Sequence, residues 1–141
     1  MDACAAAGVK RFITVSATDV RDHSKPAPDW YDEGTKERAA KVFNVIQPFV
    51  DAKFVADKEL VTGNMRRKLD YTIVRGAGLG SQPGPGRVFA GIVKREDLAR
   101  VIVACMGEPG TIGPVFDVSA GDTPVVEEIS RVARDRIDAF Y

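Results

Sequence analysis

One histidine, His23, and two cysteines, Cys4 and Cys105, are the only imidazole and thiol ligands that 141 residues offer a zinc ion. Neither cysteine belongs to a C-x-x-C pair, so no metal centre is expected. Two thiols so far apart in sequence read as free cysteines in a reducing compartment, which places the expected protein in the cytoplasm. Charge of one sign is missing too: 20 basic residues face 20 acidic ones. A nucleic-acid binder needs a basic excess to displace counterions, so that class is set aside. No apolar run approaches the length of a membrane span, and "MDACAAAGVKRF" lacks the basic-then-apolar order of a secretory leader.

What is present is a globular composition, 45% hydrophobic and 28% charged, at a length that suits one domain over residues 1–141. Read in order, "DACAAAG" ends a short helix at Gly8. "RFITVS" is a strand whose continuous apolar run suits a parallel sheet covered on both faces. Residues 17–34, with Pro26, Pro28 and Gly34, form a long polar loop. A helical pattern then runs from Thr35 through Ala39, Val42, Phe43 and Ile46. Pro48 kinks that helix or opens a second one, whose stripe is Phe49, Ala52, Ala56 and Leu60. "DYTIVRG" is the second strand, and residues 76–91, rich in glycine and proline, are loop. Arg95–Met106 is an amphipathic helix with Leu98, Val101, Ile102 and Cys105 on one face and Glu96 and Asp97 at its positive end. "PVFDVSAG" is the third strand. Thr123 caps a last helix whose buried face is Ile129, Val132, Ala133, Ile137 and Phe140. Helices alternating with strands predict an α/β fold: a partial parallel sheet of about three strands with flanking helices.

The stretch "YTIVRGAGLG" poses the functional question. A dinucleotide's diphosphate is held where a G-x-G-x-x-G turn opens a helix, whose free amides and dipole face the anion. Here the spacing is Gly76, Gly78, Gly80, and "SQPGPGRV" follows, which no helix accommodates. The acidic residue expected about 20 positions on is missing; Glu96 and Asp97 begin a helix instead. So this is not the diphosphate turn. It is either a plain loop after a strand or, since ligands of open α/β sheets sit beyond the strands' carboxyl ends, a wall of the ligand crevice formed by Gly76, Ala77, Gly78 and Leu79.

Three stretches together resemble one family. "AAGVKRFITVSATDV" resembles the helix-turn-strand that ends in the active-site serine of short-chain dehydrogenase/reductases. "FVDAKFVADKELVTGNMRRKLDYTIVRGAGL" resembles the lysine-bearing helix and Arg-Pro-Gly loop of their atypical, NmrA-like branch. "VKREDLARVIVACM" and "PVFDVSAGDTPVVEEI" resemble its later helix and final strand. The resemblance implies a Rossmann-like fold and an NAD(P) ligand, with NADP slightly ahead of NAD. It implies that Ser16 polarises a substrate carbonyl and that Lys53 holds the nicotinamide ribose, with both touching cofactor. The chain departs from the pattern in three ways. It looks like the carboxyl-terminal half of such a protein, with no room for the phosphate-binding turn. The Tyr-x-x-x-Lys motif reads Phe49-x-x-x-Lys53, which removes the proton donor. The Arg-Pro-Gly loop reads Arg75-Gly76-Ala77.

Each candidate also has a plain structural reading. Lys53 also reads as a solvated lysine on a helix flank, and Ser16 as a hydroxyl ending a strand. Thr18 and Asp19 suit a turn, Tyr71 a core aromatic, and Arg75 an ion-pair anchor rather than a phosphate ligand. Trp30 and Tyr31 line a pocket or pack within their own loop; Tyr31, Asp51 and His23 are conceivable substitute acids. The expected function is an NAD(P)-binding protein related to short-chain oxidoreductases, acting on a small molecule with impaired catalysis. The alternative is a non-catalytic, dinucleotide-responsive module. The edge of strand 12–16, rich in Phe12, Ile13 and Val15, invites self-association.

Overall fold

Three runs rich in β-branched residues become the strands of one sheet: Arg11–Ala17 (β1), Asp70–Gly76 (β2) and, later in the chain, Val115–Val118. The computed structural model describes residues 1–26, 33–82, 84, 86–88 and 93–140, and leaves the side chains of 35, 38, 39, 42, 43, 87 and 88 undescribed. The remaining elements are helix α1, Asp2–Ala6; helix α2, Glu33–Arg67; three two-residue strands, Leu79–Gly80 (β3), Arg87–Val88 (β4) and Val93–Lys94 (β5); and helix α3, Arg95–Gly107. A 3-10 turn at Pro109–Thr111 leads into the third long strand, β6. Thr123–Pro124 (β7) and helix α4, Val125–Asp135, complete the order.

The sheet is parallel with order β1-β2-β6. Parallel neighbours need crossovers, and the helices supply them: α2 joins β1 to β2, and α3 lies between β2 and β6. This is the partial α/β, Rossmann-like architecture expected from the alternation of elements. Each face of the sheet carries its own apolar cluster. Ile73 and Val115 meet Leu60 and Leu69, with Phe12, Tyr71 and Phe140 packed around them. On the other face Val74, Phe116 and Val118 meet Leu98, Val101 and Cys105 of α3 and Ile129 and Val132 of α4.

Several local expectations need correction. Residues 76–91 are not all loop, because Leu79–Gly80 pairs with Val93–Lys94 and Arg87–Val88 pairs with Thr123–Pro124. Thr123 therefore belongs to a strand, and α4 begins at Val125 with Pro124 before it and no side-chain cap. The helix ends at Asp135 with Arg136 left-handed (φ 50°), which leaves Ile137 and Phe140 in a tail. In α2 the break falls at Ile46 (φ −121°, ψ 23°), two residues before Pro48, as the ring's clash with the preceding turn requires. Of the first stripe, only the Ile46 side chain lies within the described residues. The inward face of the second half is Val50, Asp57 and Leu60, not Phe49, Ala52 and Ala56. The helix turns about one residue from its most apolar stripe because Asp57 has a buried partner beneath it. Trp30 and Tyr31 lie outside the described residues.

Cys4 is half-buried, while Cys105 is fully buried, and burial pushes its thiol up to about 11. Both are free. A thiol reagent at mildly alkaline pH is expected to modify one cysteine per native chain and two after unfolding, because the thiolate is the reactive form. Rapid modification of both in the native chain would contradict this core.

Candidate functional site

Register decides which side chains share the carboxyl edge of the sheet. Ser16 stands opposite Arg75, and Arg75 opposite Asp117. Cross-strand partners point to one face, so the three form a row across β1, β2 and β6 on the side that α2 covers. From α2 comes Asp57, whose Oδ2 accepts from Arg75 Nε at 3.2 Å. Arg75 is fully buried and Asp57 is 3% exposed. The second arm of the guanidinium, Nη1, donates to the Ala139 carbonyl at 3.0 Å, and the Phe140 ring lies 5.9 Å from its carbon. Arg75 is thus the ion-pair anchor that its place at a strand end suggested, and it fastens the tail to the sheet.

Lys53 lies one helical turn before Asp57. Its Nζ donates to the Val15 carbonyl at 3.1 Å, at the residue before Ser16, and sits 5.8 Å from the Phe49 ring centre. Phe49, where the resemblance would place a tyrosine, is about half exposed. The structure therefore brings Ser16 and Lys53 to the same end of β1. The Ser16 hydroxyl is buried and completes no hydrogen bond, though it stands close enough to Asp57 to favour that carboxylate's charged form. Burial pushes the Asp57 carboxyl above its ordinary range; Ser16, Arg75 and Lys53 pull the other way.

The glycine loop divides in two. Gly76 is buried, and a methyl group there would come within 3.1 Å of Leu98 Cδ2. The Gly76 carbonyl accepts from Thr18 N at 3.2 Å, and Ala77 N donates to the Val118 carbonyl at 2.8 Å. Gly78 and Leu79 are exposed. Of the four loop positions, the first two knit the strand ends together and the last two face outward. Glu96 and Asp97 do more than complement a helix dipole. Glu96 accepts from Gly84 N at 2.9 Å and Asp97 from Gly86 N at 2.8 Å, tying the later loop to α3.

Asp19 adopts a left-handed turn (φ 61°), and His23 Nε2 lies 3.0 Å from the Asp19 carbonyl. Asp51 is exposed and Tyr31 lies outside the described residues. No group of three or more metal-ligating side chains occurs among the described residues. None of the described helices is long and apolar enough to cross a membrane.

These residues fit the ribose of a nicotinamide nucleotide. Lys53 holds a cationic donor at the strand end, and Ser16 keeps a buried hydroxyl beside it with no complete hydrogen bond. Among the described residues no glycine-rich turn opens a helix beside them. Comparison with known proteins decides the family. Residues 1–109 match the NAD(P)H-binding family. The chain belongs to that family. Its relatives include the sugar epimerase YhfK of Bacillus subtilis, itself uncharacterized, 33% identical over 138 residues. A UPF0659 protein of Schizosaccharomyces pombe is 32% identical over 135 residues. The alignments take in 94% and 92% of this chain but only 55% and 54% of those proteins, so the chain spans about half their length. Among solved structures, a Bacillus halodurans protein assigned as an NAD-dependent epimerase/dehydratase superposes with a TM-score of 0.67 at 31% identity. That match covers 91% of this chain and 54% of the other. The oxidoreductase ylbE of Lactococcus lactis has a TM-score of 0.74 at 23% identity, over 94% and 56% of the two chains, and shares the fold. The match to the NAD(P)H-binding family and the likeness to proteins named as epimerases agree with the resemblance drawn from the motifs.

Proposed function

We propose that this chain forms the nicotinamide side of an NAD(P)-binding cleft related to those of short-chain oxidoreductases and epimerases. The observation that carries the proposal is the Lys53 ammonium donating to the Val15 carbonyl beside Ser16. An ammonium has three donors, so two remain for the vicinal hydroxyls of a ribose. In this reading Ser16 meets the ligand at the strand's end, with the exposed Gly78 and Leu79 in the loop after the neighbouring strand. When bound, the nicotinamide supplies or accepts a hydride. NADP is the first ligand to test, ahead of NAD.

A second reading rests on Phe49. Its ring occupies the helical turn before Lys53, where a tyrosine would donate a proton, and a phenyl ring has none to give. A dinucleotide-responsive module without turnover is favoured by that substitution. The outer edge of β1, which has no strand partner among the described residues, also supports self-association of the chain.

Fluorescence titration with NADPH tests the first reading. Charge-assisted hydrogen bonds contribute about 1.5–3 kcal/mol, so Lys53→Met is expected to weaken binding roughly 10- to 100-fold without loss of the fold. Equal affinity of the two proteins would reject Lys53 as the ribose grip. Consumption of NADPH with ketones and quinones then separates an enzyme from a binding module. Phe49→Tyr is expected to raise any turnover, since a positioned acid contributes about 10²–10⁴-fold.

A further inference from the structure

We propose that Asp57 is the positioning residue of this site: its carboxylate, shared between Arg75 and the neighbourhood of Ser16, directs the Ser16 hydroxyl and keeps Lys53 over the end of β1. The inference rests on the reading of Ser16 and Lys53 as ligand-facing groups. Its evidence is separate, because it concerns how the chain's own groups are held.

Asp57 and Lys53 are four residues apart on α2 and share its inner face. Asp57 is anchored from below by Arg75 Nε at 3.2 Å. Arg75 is itself fixed by the Ala139 carbonyl at 3.0 Å, so the carboxylate cannot swing away without giving up the contact to a guanidinium that is held in place. Ser16 is 6% exposed, and its hydroxyl lies beside that carboxylate. The charged groups facing Asp57 are Lys53 on its own helix and Arg75 on β2; Asp117 of β6 stands across from Arg75, and the tail contributes the Ala139 carbonyl and Phe140 ring to Arg75.

A serine hydroxyl carries one proton. With Asp57 ionised, that proton turns toward the carboxylate, and Ser16 meets a ligand as an acceptor, suited to a substrate hydroxyl. With Asp57 protonated, the carboxyl can donate to Ser16, and the serine proton is released toward a carbonyl. Burial raises the protonation midpoint of Asp57 above its ordinary range, against the opposite pull of Ser16, Arg75 and Lys53. Asp57 touches neither cofactor nor substrate in this account; it acts through Ser16 and Lys53.

The test is an NMR titration of the ligand-free full chain from about pH 4 to about pH 8, following the Asp57 carboxyl carbon, Ser16 Cβ and Lys53 Nζ. The three signals are expected to move with one shared midpoint above the ordinary carboxylate range. Asp57→Asn is expected to abolish that transition at Ser16 and Lys53. Should that variant fail to fold, the titration of the unmodified chain decides alone. Ser16 and Lys53 signals that ignore the Asp57 transition would overturn the proposal. A parallel NADPH titration separates the two readings. Absence of binding by the unmodified chain rejects the cofactor reading, while the resonance result still decides for or against Asp57. Where NADPH binds, Asp57→Asn is expected to weaken it about tenfold and flatten its pH dependence, which loss of packing alone would not do.

Discussion

Replacing Arg75 with alanine is expected to cost about 3–5 kcal/mol of folding stability, the range for removing one partner of a buried ion pair. Both partners are almost wholly out of water, at 0% and 3% exposure. Without the guanidinium, Asp57 is left as a buried charge. The tail also loses its tie through the Ala139 carbonyl and Phe140 ring. Against a total stability of about 5–15 kcal/mol for an ordinary domain, the loss is large. It should lower the melting temperature by roughly 10–20 °C in a chain of this size. The double variant Arg75→Met, Asp57→Leu is expected to recover most of the loss, because an apolar pair of similar volume leaves no charge behind. Thermal and denaturant unfolding of the three proteins checks this. A loss below about 1 kcal/mol in Arg75→Ala would show that the pair anchors nothing.

Self-association is the second large effect expected. β1 is the outermost strand of its sheet and pairs only with β2 among the described residues, so one row of its backbone groups has no strand partner there. Val15 is 37% exposed on that strand and Val9, just before it, 42%. The chain carries no net charge to keep copies apart. An extended edge of this kind templates pairing with a second copy, and natural proteins blunt such edges with lysine. Light scattering after size exclusion is therefore expected to give twice the monomer mass or more at micromolar concentration. Val15→Lys is expected to shift the population to monomer. A sharp monomer peak from the unmodified chain would contradict the prediction, as would a mass that Val15→Lys leaves unchanged.

The strands were legible because each is a short run of β-branched residues bounded by glycine or proline: "RFITVSA", "DYTIVRG" and "VFDV" admit little else. The helices followed from period and punctuation, and the parallel sheet from their alternation. What stayed hidden depends on neighbours distant in sequence. The two-residue strands 79–80 and 87–88 exist only through partners at 93–94 and 123–124, so no local pattern marks them. The inward face of α2 was misread because apolarity was counted while the buried Arg75 was not. An arginine that closes a buried strand needs a carboxylate, and Asp57, one turn after Lys53, was the signal available for it. Ser16 and Lys53 became candidates together through the resemblance; spacing alone leaves them 37 residues apart with nothing to join them.

The central proposal is that this chain grips the nicotinamide end of a dinucleotide and not its diphosphate end. Competition against bound NADPH by the two halves of the ligand, reduced nicotinamide mononucleotide and adenosine diphosphate, measures it most directly. The account predicts displacement by the nicotinamide nucleotide, weakened by Lys53→Met, and little or none by adenosine diphosphate. Stronger displacement by adenosine diphosphate, or competition indifferent to Lys53, would contradict it.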